Sequence, residues 1–292
     1  MDALPVSAYR HLPRPPDTWI IRDILPTAGL LSLYGDPKVG KSFAALQLAY
    51  AVTSSGQSEW LGFEVCQHGQ CLYIQLDTPR GLWVEEYLDR FTDASQALPD
   101  TLLIADREMA PFPFNILAGD AYLWLHTAAG LHRPAVVILD SLRDAHEADE
   151  DKSQQMQHVV TVLRAAVSPA ALVLISHARK PNYQLPPDVR DNLMSDNRGS
   201  SYVPGKADTI IKLTEKTLHI QGRTIQKHRL RAVRNTFGLW ELAVSETEAA
   251  VAEVLADVTL PSMSARTKAL AELLDRSPEA CRSLLRRAMA ER

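Results

Sequence analysis

The sequence predicts an α/β protein in which a mostly parallel sheet is covered by helices on both faces. Apolar runs occur at residues 71–76, 135–139 and 171–176, and strands that are buried on both faces of a sheet have this composition. Segments of helix length separate these runs, and alternating strands and helices favour a parallel sheet. A glycine-bracketed loop joins a further apolar run, residues 30–34, to a segment rich in alanine and leucine.

Residues 1–18 are rich in proline and predict an extended arm, which either crosses to a neighbouring subunit or frays. Residues 19–245 hold the predicted sheet domain. Apolar segments at residues 19–21 and 24–26 lead into its first predicted strand, at 30–34. The other predicted strands lie at residues 71–76, 101–105, 135–139, 171–176, 209–213, 218–220, 228–233 and 239–244. Its predicted helices begin near Lys41 and at residues 81–91, 118–131 and 156–167. The last four strands predict an antiparallel extension, and residues 182–202 lack periodicity, which indicates a functional or disordered loop.

Residues 246–292 predict a small helical appendage, with helices at 265–275 and 279–290 after one at 245–256. Residues 262–292 carry seven Lys and Arg residues against four acidic residues, so the tail is the basic part of the chain. This pattern is compatible with a helix-turn-helix that binds DNA or a replication protein. It is equally compatible with a helical hairpin that packs on a neighbouring subunit.

The composition argues against two classes of protein. The net charge of −4 is unsuited to a protein that coats nucleic acid through bulk positive charge, so any such contact must be local. No apolar run approaches the roughly 18 residues that a membrane helix needs. The N-terminus also lacks the basic-then-apolar order of a signal peptide, so we expect a cytoplasmic protein without a membrane partner. Cys66, Cys71 and Cys281 have no metal-ligand spacing and are interpreted as buried or incidental thiols.

The loop Gly35-Asp36-Pro37-Lys38-Val39-Gly40-Lys41-Ser42 has the spacing of a P-loop, and it stands between an apolar run and a helix. Its backbone N–H groups and the N-terminus of the helix are expected to bind phosphate. We expect ATP to contact residues from Gly35 to Phe43, with Lys41 on the β- and γ-phosphates and the Ser42 hydroxyl on Mg²⁺. The alternative is an ordinary turn between a strand and a helix.

Three polar residues follow predicted strands, at the edge where parallel sheets place their ligand sites. Asp140 is predicted to bind Mg²⁺ together with Ser42, and the alternative is a cap on the next turn. Asp77 is the candidate for orienting or deprotonating the attacking water, unless it caps the turn at Thr78. His177 is a candidate sensor of the γ-phosphate, although a histidine at a strand end is often structural.

Arg198 and Arg234 fall late in the chain, outside the reach of the P-loop in a simple topology. If they serve catalysis, we expect them to act across a subunit boundary as arginine fingers, and the alternative is a solvated side chain. Arg179, Lys180 and Arg190 belong to the irregular loop and are candidates for contacts with the phosphates of a nucleic acid strand. Solvated side chains are again the alternative.

The order of these motifs resembles that of the RecA-like P-loop ATPases, and among them of the hexameric replicative DNA helicases of plasmid RepA type. The similarity covers about residues 15–245 and depends on five stretches, Gly35–Ser42, Leu72–Pro79, Val136–Arg143, Leu172–Lys180 and Arg198–Ser201. The resemblance implies Mg²⁺-dependent ATP hydrolysis by a ring that holds single-stranded DNA in its channel, as in plasmid or phage replication. It also implies that His177 senses the γ-phosphate, that Arg198 reaches the neighbour's nucleotide, and that Arg234 belongs to a second trans-acting motif.

Two departures from the family pattern favour a different function. Asp77 stands where the family commonly has glutamate, so we expect the attacking water to be held less well and turnover to be slow. The first putative pore loop, residues 144–151, is acidic, which leaves DNA contact to the loop after His177. Both features favour a regulatory or scaffold ATPase whose nucleotide state controls assembly or partner binding. A small-molecule kinase is disfavoured, because it ordinarily carries its arginines in a lid close to the nucleotide.

Overall fold

The computed structural model describes residues 4–13, 18–94, 97–110, 112–178, 202–225, 227–243, 251, 254–257, 259–260, 262–274 and 277–290. The chain divides into two compact units, Met1–Glu241 and Leu242–Arg292. The predicted boundary, after residue 245, falls close to this division.

Strands in the described part of the chain form one large sheet and two small antiparallel pairs. They are β1 (Trp19–Ile21), β2 (Leu25–Pro26), β3 (Leu30–Gly35), β4 (Glu59–Trp60), β5 (Phe63–Glu64), β6 (Cys71–Gln75), β7 (Leu102–Asp106), β8 (Val136–Asp140), β9 (Ala171–His177), β10 (Thr209–Leu213), β11 (Thr217–Gly222), β12 (His228–Arg234) and β13 (Trp240–Leu242). The large sheet has the order β13-β12-β11-β10-β3-β9-β8-β6-β7. From β10 to β7 every neighbouring pair is parallel.

The helices that cover the sheet alternate with its strands along the chain. The helices of the described residues are α1 (Val6–Arg10), α2 (Lys41–Thr53), α3 (Arg80–Trp83), α4 (Arg90–Ala94), α5 (Gly119–His132), α6 (Ser153–Val167), α7 (Tyr202–Lys206) and, in the second unit, α8 (Met263–Leu274) and α9 (Pro278–Ala290). A π-helical segment, Val84–Asp89, joins α3 to α4, and a short 3₁₀ helix, Arg143–Ala145, follows β8.

Alternate side chains of the central strands pack into separate cores on the two faces of the sheet. Leu31 and Leu33 of β3 belong to a buried cluster that also contains Phe43 of α2. Leu30 belongs to a second cluster, which contains Met156 of α6 and residues of α5. The sheet is therefore covered on both faces, as the sequence predicts.

The predicted antiparallel extension is confirmed on the β10 side of the sheet. β11 pairs antiparallel with β10, and β12 pairs antiparallel with β11. β13 lies beside β12 at this end of the sheet. The extension thus continues the same sheet that holds the P-loop strand β3.

Three features differ from the sequence prediction. Part of the predicted extended arm is helical, since Val6–Arg10 forms α1 after Pro5, whose extended backbone (φ −61°, ψ 150°) suits the residue before a helix. The helix predicted at residues 81–91 begins earlier, ends later and contains the π-helical segment. The β4–β5 hairpin has strands of two residues, too short to leave a periodic pattern.

The second unit contains α8, α9 and a small buried cluster. Its members include Leu270 of α8, Cys281 and Leu285 of α9, and Val254. The two predicted tail helices are present with shifted ends, whereas most of the helix predicted at 245–256 lies outside the described residues. DNA binding by this unit stays a prediction. Among the described residues, no helix combines the length and apolar character needed to cross a bilayer.

Candidate active site

The P-loop connects the buried strand β3 to α2, and its conformation depends on two glycines. Gly40, the residue before α2, has φ +99°, a left-handed conformation that side chains disfavour. Gly35 lies so close to β10 that an added Cβ would stand 2.4 Å from the Leu213 carbonyl oxygen. The sequence therefore needs glycine at both ends of the loop.

Lys41 lies buried at the first position of α2. Its Nζ donates hydrogen bonds to the carbonyl oxygens of Asp36 (2.9 Å) and Gly35 (3.2 Å) and contacts His177 Nδ1 at 3.3 Å. Burial lowers the pKa of the Lys41 ammonium, and the nearby Asp140 and Asp77 carboxylates oppose this shift. The ammonium is thus held inside the loop, where a phosphate would offset the cost of burying it.

Four neighbouring parallel strands bring the predicted residues to one edge of the sheet. β3, β9, β8 and β6 lie side by side, with Gly35 opposite His177 and Asp140 opposite Gln75. A cavity of about 200 Å³ lies at this edge. Its lining comprises Lys38, Gly40, Lys41, Ser42, Phe43, Asp77, Tyr87, Asp140, Ser141, His177 and Arg234. The structure therefore brings Lys41, Ser42, Asp77, Asp140 and His177 together.

Asp140 is a buried carboxylate beside Ser42. Its Oδ2 accepts a hydrogen bond of 2.7 Å from the Tyr73 hydroxyl, and Ser42 also hydrogen-bonds to it. Burial raises the pKa of the Asp140 carboxyl, and the bonds from Ser42 and Tyr73 oppose that shift. A carboxylate and a hydroxyl side by side are hard oxygen ligands of the kind that Mg²⁺ prefers. The pair fits a Mg²⁺ ion, which would offset the buried negative charge.

Asp77 is exposed and lines the cavity just beyond the end of β6. The segment that follows it is tied to the sheet, because the Gln75 side chain donates to the Thr78 carbonyl oxygen at 2.6 Å. Arg80 then forms a two-bond ion pair with Asp106 of β7, with donor–acceptor distances of 2.6 and 2.8 Å. These contacts hold the segment that follows Asp77 against the sheet.

Two tyrosines of this site were not predicted from the sequence. Tyr73 reaches Asp140 from the middle of β6, and Tyr87 hydrogen-bonds with Ser42 from the π-helical segment. Tyr87 also stacks on Trp83, with ring centroids 4.4 Å apart, and packs on Phe43 at 4.8 Å. For Tyr73 a signal was present, since a hydroxyl in a buried strand needs a partner. The position of Tyr87 depends on helix packing that has no local sequence signature.

Arg234 is the clearest correction to the sequence analysis. It was expected to lie outside the reach of its own P-loop, but it lines the cavity together with Lys41. A Cβ added to Gly40 would lie 2.8 Å from Arg234 Cδ and 3.2 Å from its Nη1. The antiparallel extension carries Arg234 back to α2, so the argument against a small-molecule kinase that relied on distant arginines no longer holds.

The remaining predicted contacts are those at the subunit boundary and with DNA. Arg198 and the candidate DNA contacts Arg179, Lys180 and Arg190 lie outside the described residues. The predicted pore loop at 144–151 is described, and it packs closely.

Within the 144–151 segment, Ala145 and Ala148 are buried, and the Ala145 carbonyl oxygen accepts a hydrogen bond of 2.8 Å from the Ile116 N–H. Its exposed side chains include the acidic residues Asp144, Glu147, Asp149 and Asp151. An exposed acidic surface repels phosphate, which makes the segment a poor contact for DNA.

A larger cavity, of about 780 Å³, lies between β7 and α5. It is lined mainly by apolar side chains such as Leu103, Trp124 and Leu131. A triphosphate needs donors and cations, so the smaller cavity at the P-loop is the candidate nucleotide site.

Comparison with known proteins identifies a family for the chain. Residues 1–183 match the family model of an AAA domain, a range that includes the P-loop, Asp77, Asp140 and His177. No curated protein matches the chain.

Proposed function

We propose that this chain, which belongs to the AAA domain family, hydrolyses ATP in a Mg²⁺-dependent reaction and acts on single-stranded DNA as a ring-forming, RecA-like motor. The observation that carries the ATPase proposal is the meeting of Lys41, Asp140 and Asp77 in one cavity of about 200 Å³. A phosphate-binding cation, a metal-binding carboxylate and an exposed carboxylate are the groups that this reaction needs.

Each residue has a separate task in the proposed reaction. The P-loop N–H groups and Lys41 bind the β- and γ-phosphates, and Ser42 and Asp140 hold Mg²⁺, which neutralises phosphate charge when bound. Asp77 orients a water molecule and accepts its proton. The water oxygen forms a bond to the γ-phosphorus, and the bond to the β–γ bridging oxygen breaks. ADP leaves with the electron pair, inorganic phosphate is the second product, and the proton passes from Asp77 to solvent.

The ring and DNA parts of the proposal derive support from the sequence resemblance. We place Arg198 at the subunit boundary and the DNA contacts Arg179, Lys180 and Arg190 in the loop after His177. His177 contacts Lys41 at 3.3 Å, so it is positioned to pass a change at the γ-phosphate to that loop. The basic tail is proposed to bind a replication protein or a neighbouring subunit.

The test is the steady-state release of phosphate from ATP, with and without single-stranded DNA, with the Lys41→Ala variant as the blank. Release without any added acceptor is expected and would exclude a small-molecule kinase. Several-fold stimulation by single-stranded DNA, together with strand separation on a forked duplex, is expected of a motor. A slow rate of phosphate release that does not change with DNA would contradict the proposed motor function and would still be consistent with ATPase activity.

The packed acidic segment at residues 144–151 favours a second candidate, a regulatory ATPase. In that case nucleotide binding controls assembly or the binding of a partner or duplex DNA, and no strands are separated. The two candidates differ in the nucleotide dependence of oligomer mass. A switch changes mass between its ATP and ADP states without unwinding, whereas a motor unwinds a forked substrate in the presence of ATP.

A further inference from the structure

The direction of the Arg234 side chain follows from the alternation of β12. Ala232 is buried and Leu230 packs against the same cluster that contains Phe43 of α2. Arg234 is two residues beyond Ala232, so it lies on the same face of the strand. Arg231 lies on the opposite face and is exposed. The sheet therefore points Arg234 toward α2.

The turn between β12 and β13, together with Trp240 at the start of β13, makes three contacts with α2 and with Gly40, the residue before it. Trp240 Nε1 donates to the Gly40 carbonyl oxygen at 2.9 Å. A Cβ added to Gly238 would lie 2.9 Å from the Phe43 ring. The Gln47 side chain accepts from the Trp240 N–H at 2.8 Å and donates to its carbonyl oxygen at 2.9 Å.

Positions 40, 43 and 47 share one face of a helix, so the turn is fixed to the start of α2 by contacts within a single chain. Because the turn begins at the end of β12, it also fixes the backbone of Arg234 beside Gly40. No partner subunit is needed for this arrangement.

The guanidinium of Arg234 has no acidic partner among the described residues. It lies over Gly40, whose backbone belongs to the phosphate-binding loop, and it lines the cavity that contains Lys41 and Asp140. A guanidinium offers forked donors that match phosphate oxygens. An anionic ligand at the P-loop is the partner that this placement suits.

We infer that Arg234 is a catalytic residue that contacts the phosphates of the nucleotide bound by its own chain, and does not act as a finger on the neighbour's nucleotide. The inference rests on the proposed ATPase activity. Arg234 stabilises the negative charge that develops on the phosphate oxygens as the β–γ bond breaks, while Arg198 remains the residue proposed for the subunit boundary.

The inference is tested by mixing inactive variants, Lys41→Ala with Arg234→Ala. If Arg234 acts within its own chain, no site in a mixed assembly has both residues, and no ATPase activity returns. If it acts across the boundary, about a quarter of the interfaces in an equal mixture are complete, and activity returns in proportion. Recovery of that size would overturn the inference.

Two controls keep this result interpretable. The mixture of Lys41→Ala with Arg198→Ala is expected to regain activity, which shows that subunits exchange. Arg231→Ala, on the opposite face of β12, is expected to retain wild-type turnover, whereas Arg234→Ala alone loses about 10²- to 10³-fold.

A binding experiment separates failure of this inference from failure of the proposed function. The affinities for ADP and a slowly hydrolysed ATP analogue are measured over a range of protein concentrations. We expect Arg234→Ala to lower the affinity for the ATP analogue more than the affinity for ADP. The factor by which each affinity falls should be the same at every protein concentration. An effect that disappears on dilution, or no effect on either nucleotide, would contradict action within one chain even if the wild type shows no turnover.

Discussion

The parallel strands and the antiparallel extension both reach the P-loop, but they place their residues there by different means. In the parallel part, Asp140 and His177 end strands that are buried on both faces and lie next to one another. In the extension, Arg234 and Trp240 come from strands at the far end of the sheet, and Trp240 bonds to a residue 200 positions earlier in the chain. The first part supplies the proposed phosphate and metal ligands from the ends of neighbouring strands, whereas the position of Arg234 depends on the completed sheet.

This difference indicates how each part should respond to substitution. In the parallel part, Lys41 and Asp140 are buried groups proposed to contact phosphate and Mg²⁺, so their substitution is expected to weaken ligand binding. Trp240 of the extension and its partner Gln47 do not line the cavity, so loss of their contacts is expected to change turnover more than affinity. The predictions below test that division, beginning with the largest expected effect.

The largest effect is expected for Lys41→Ala in the parallel part. The ammonium is the buried cation of the P-loop, and its loss is expected to lower ATP turnover by at least about 10³-fold and to weaken nucleotide binding. Phosphate release and binding of a fluorescent ATP analogue provide the measurements. Lys216→Ala, at the exposed turn between β10 and β11, is the matched control and should behave as wild type. Full nucleotide affinity in Lys41→Ala would exclude this loop as the phosphate site.

Tyr73→Phe is expected to lower the Mg²⁺ affinity of the same site by about tenfold. Loss of a residue that hydrogen-bonds to a metal ligand usually lowers metal affinity or activity 10- to 100-fold. The change deletes the hydroxyl that donates to Asp140 at 2.7 Å and leaves the ring in place. ATPase activity is titrated with Mg²⁺ at fixed ATP. Tyr50→Phe removes a hydroxyl elsewhere in the same core and is the control. An identical Mg²⁺ titration for Tyr73→Phe would show that this bond does not orient Asp140.

Gln47→Ala tests the extension without touching a phosphate-binding group. Both hydrogen bonds to the Trp240 backbone are lost, which frees the turn that follows Arg234. We expect kcat to fall by about tenfold with little change in KM, since displacement of a catalytic group by an ångström costs up to about a hundredfold. Equal changes in the affinities for ADP and ATP, with kcat preserved, would instead assign Gln47 a role in binding.

The smallest effect is expected for Asp106→Asn, which removes the ion pair that holds Arg80 after Asp77. The Arg80 guanidinium lowers the pKa of the Asp106 carboxyl in the folded protein. Its stabilising contribution is therefore complete above pH about 4, the usual range of the unfolded group, and disappears as pH falls through the lowered folded value. We expect the thermal midpoint at pH 7 to drop by roughly 2–4 °C. The difference in thermal midpoint between Asp106→Asn and wild type should shrink as the pH falls, and a difference that grows would contradict this prediction.

The sequence predicted the parallel part well because its signals are local. An apolar run with a polar residue at its end identifies a strand and its carboxyl edge, and adjacent parallel strands bring such edges together. Asp77, Asp140 and His177 follow this rule, Lys41 follows from the P-loop motif, and all four line one cavity. The register that sets Gly35 opposite His177 is a consequence of the same packing.

The extension escaped prediction because its place in the sheet depends on strand order. The residues of β12 indicate a strand, but no local pattern indicates which strands pair. That β10 pairs with β3, β11 with β10 and β12 with β11 is known only from the structure. Without that order Arg234 was expected either to be solvated or to act across a subunit boundary. Tyr87 was missed for a similar reason, since it depends on how a π-helical segment packs against α2.

The proposed ATP hydrolysis depends on Asp77 to position and deprotonate water in the cavity at the P-loop. The most direct measurement is single-turnover hydrolysis of bound Mg-ATP by wild type and Asp77→Asn, with nucleotide binding determined on the same samples. We predict that Asp77→Asn binds ATP as tightly as wild type and hydrolyses it about 10²- to 10⁴-fold more slowly. Equal hydrolysis rates with equal occupancy would contradict the claim.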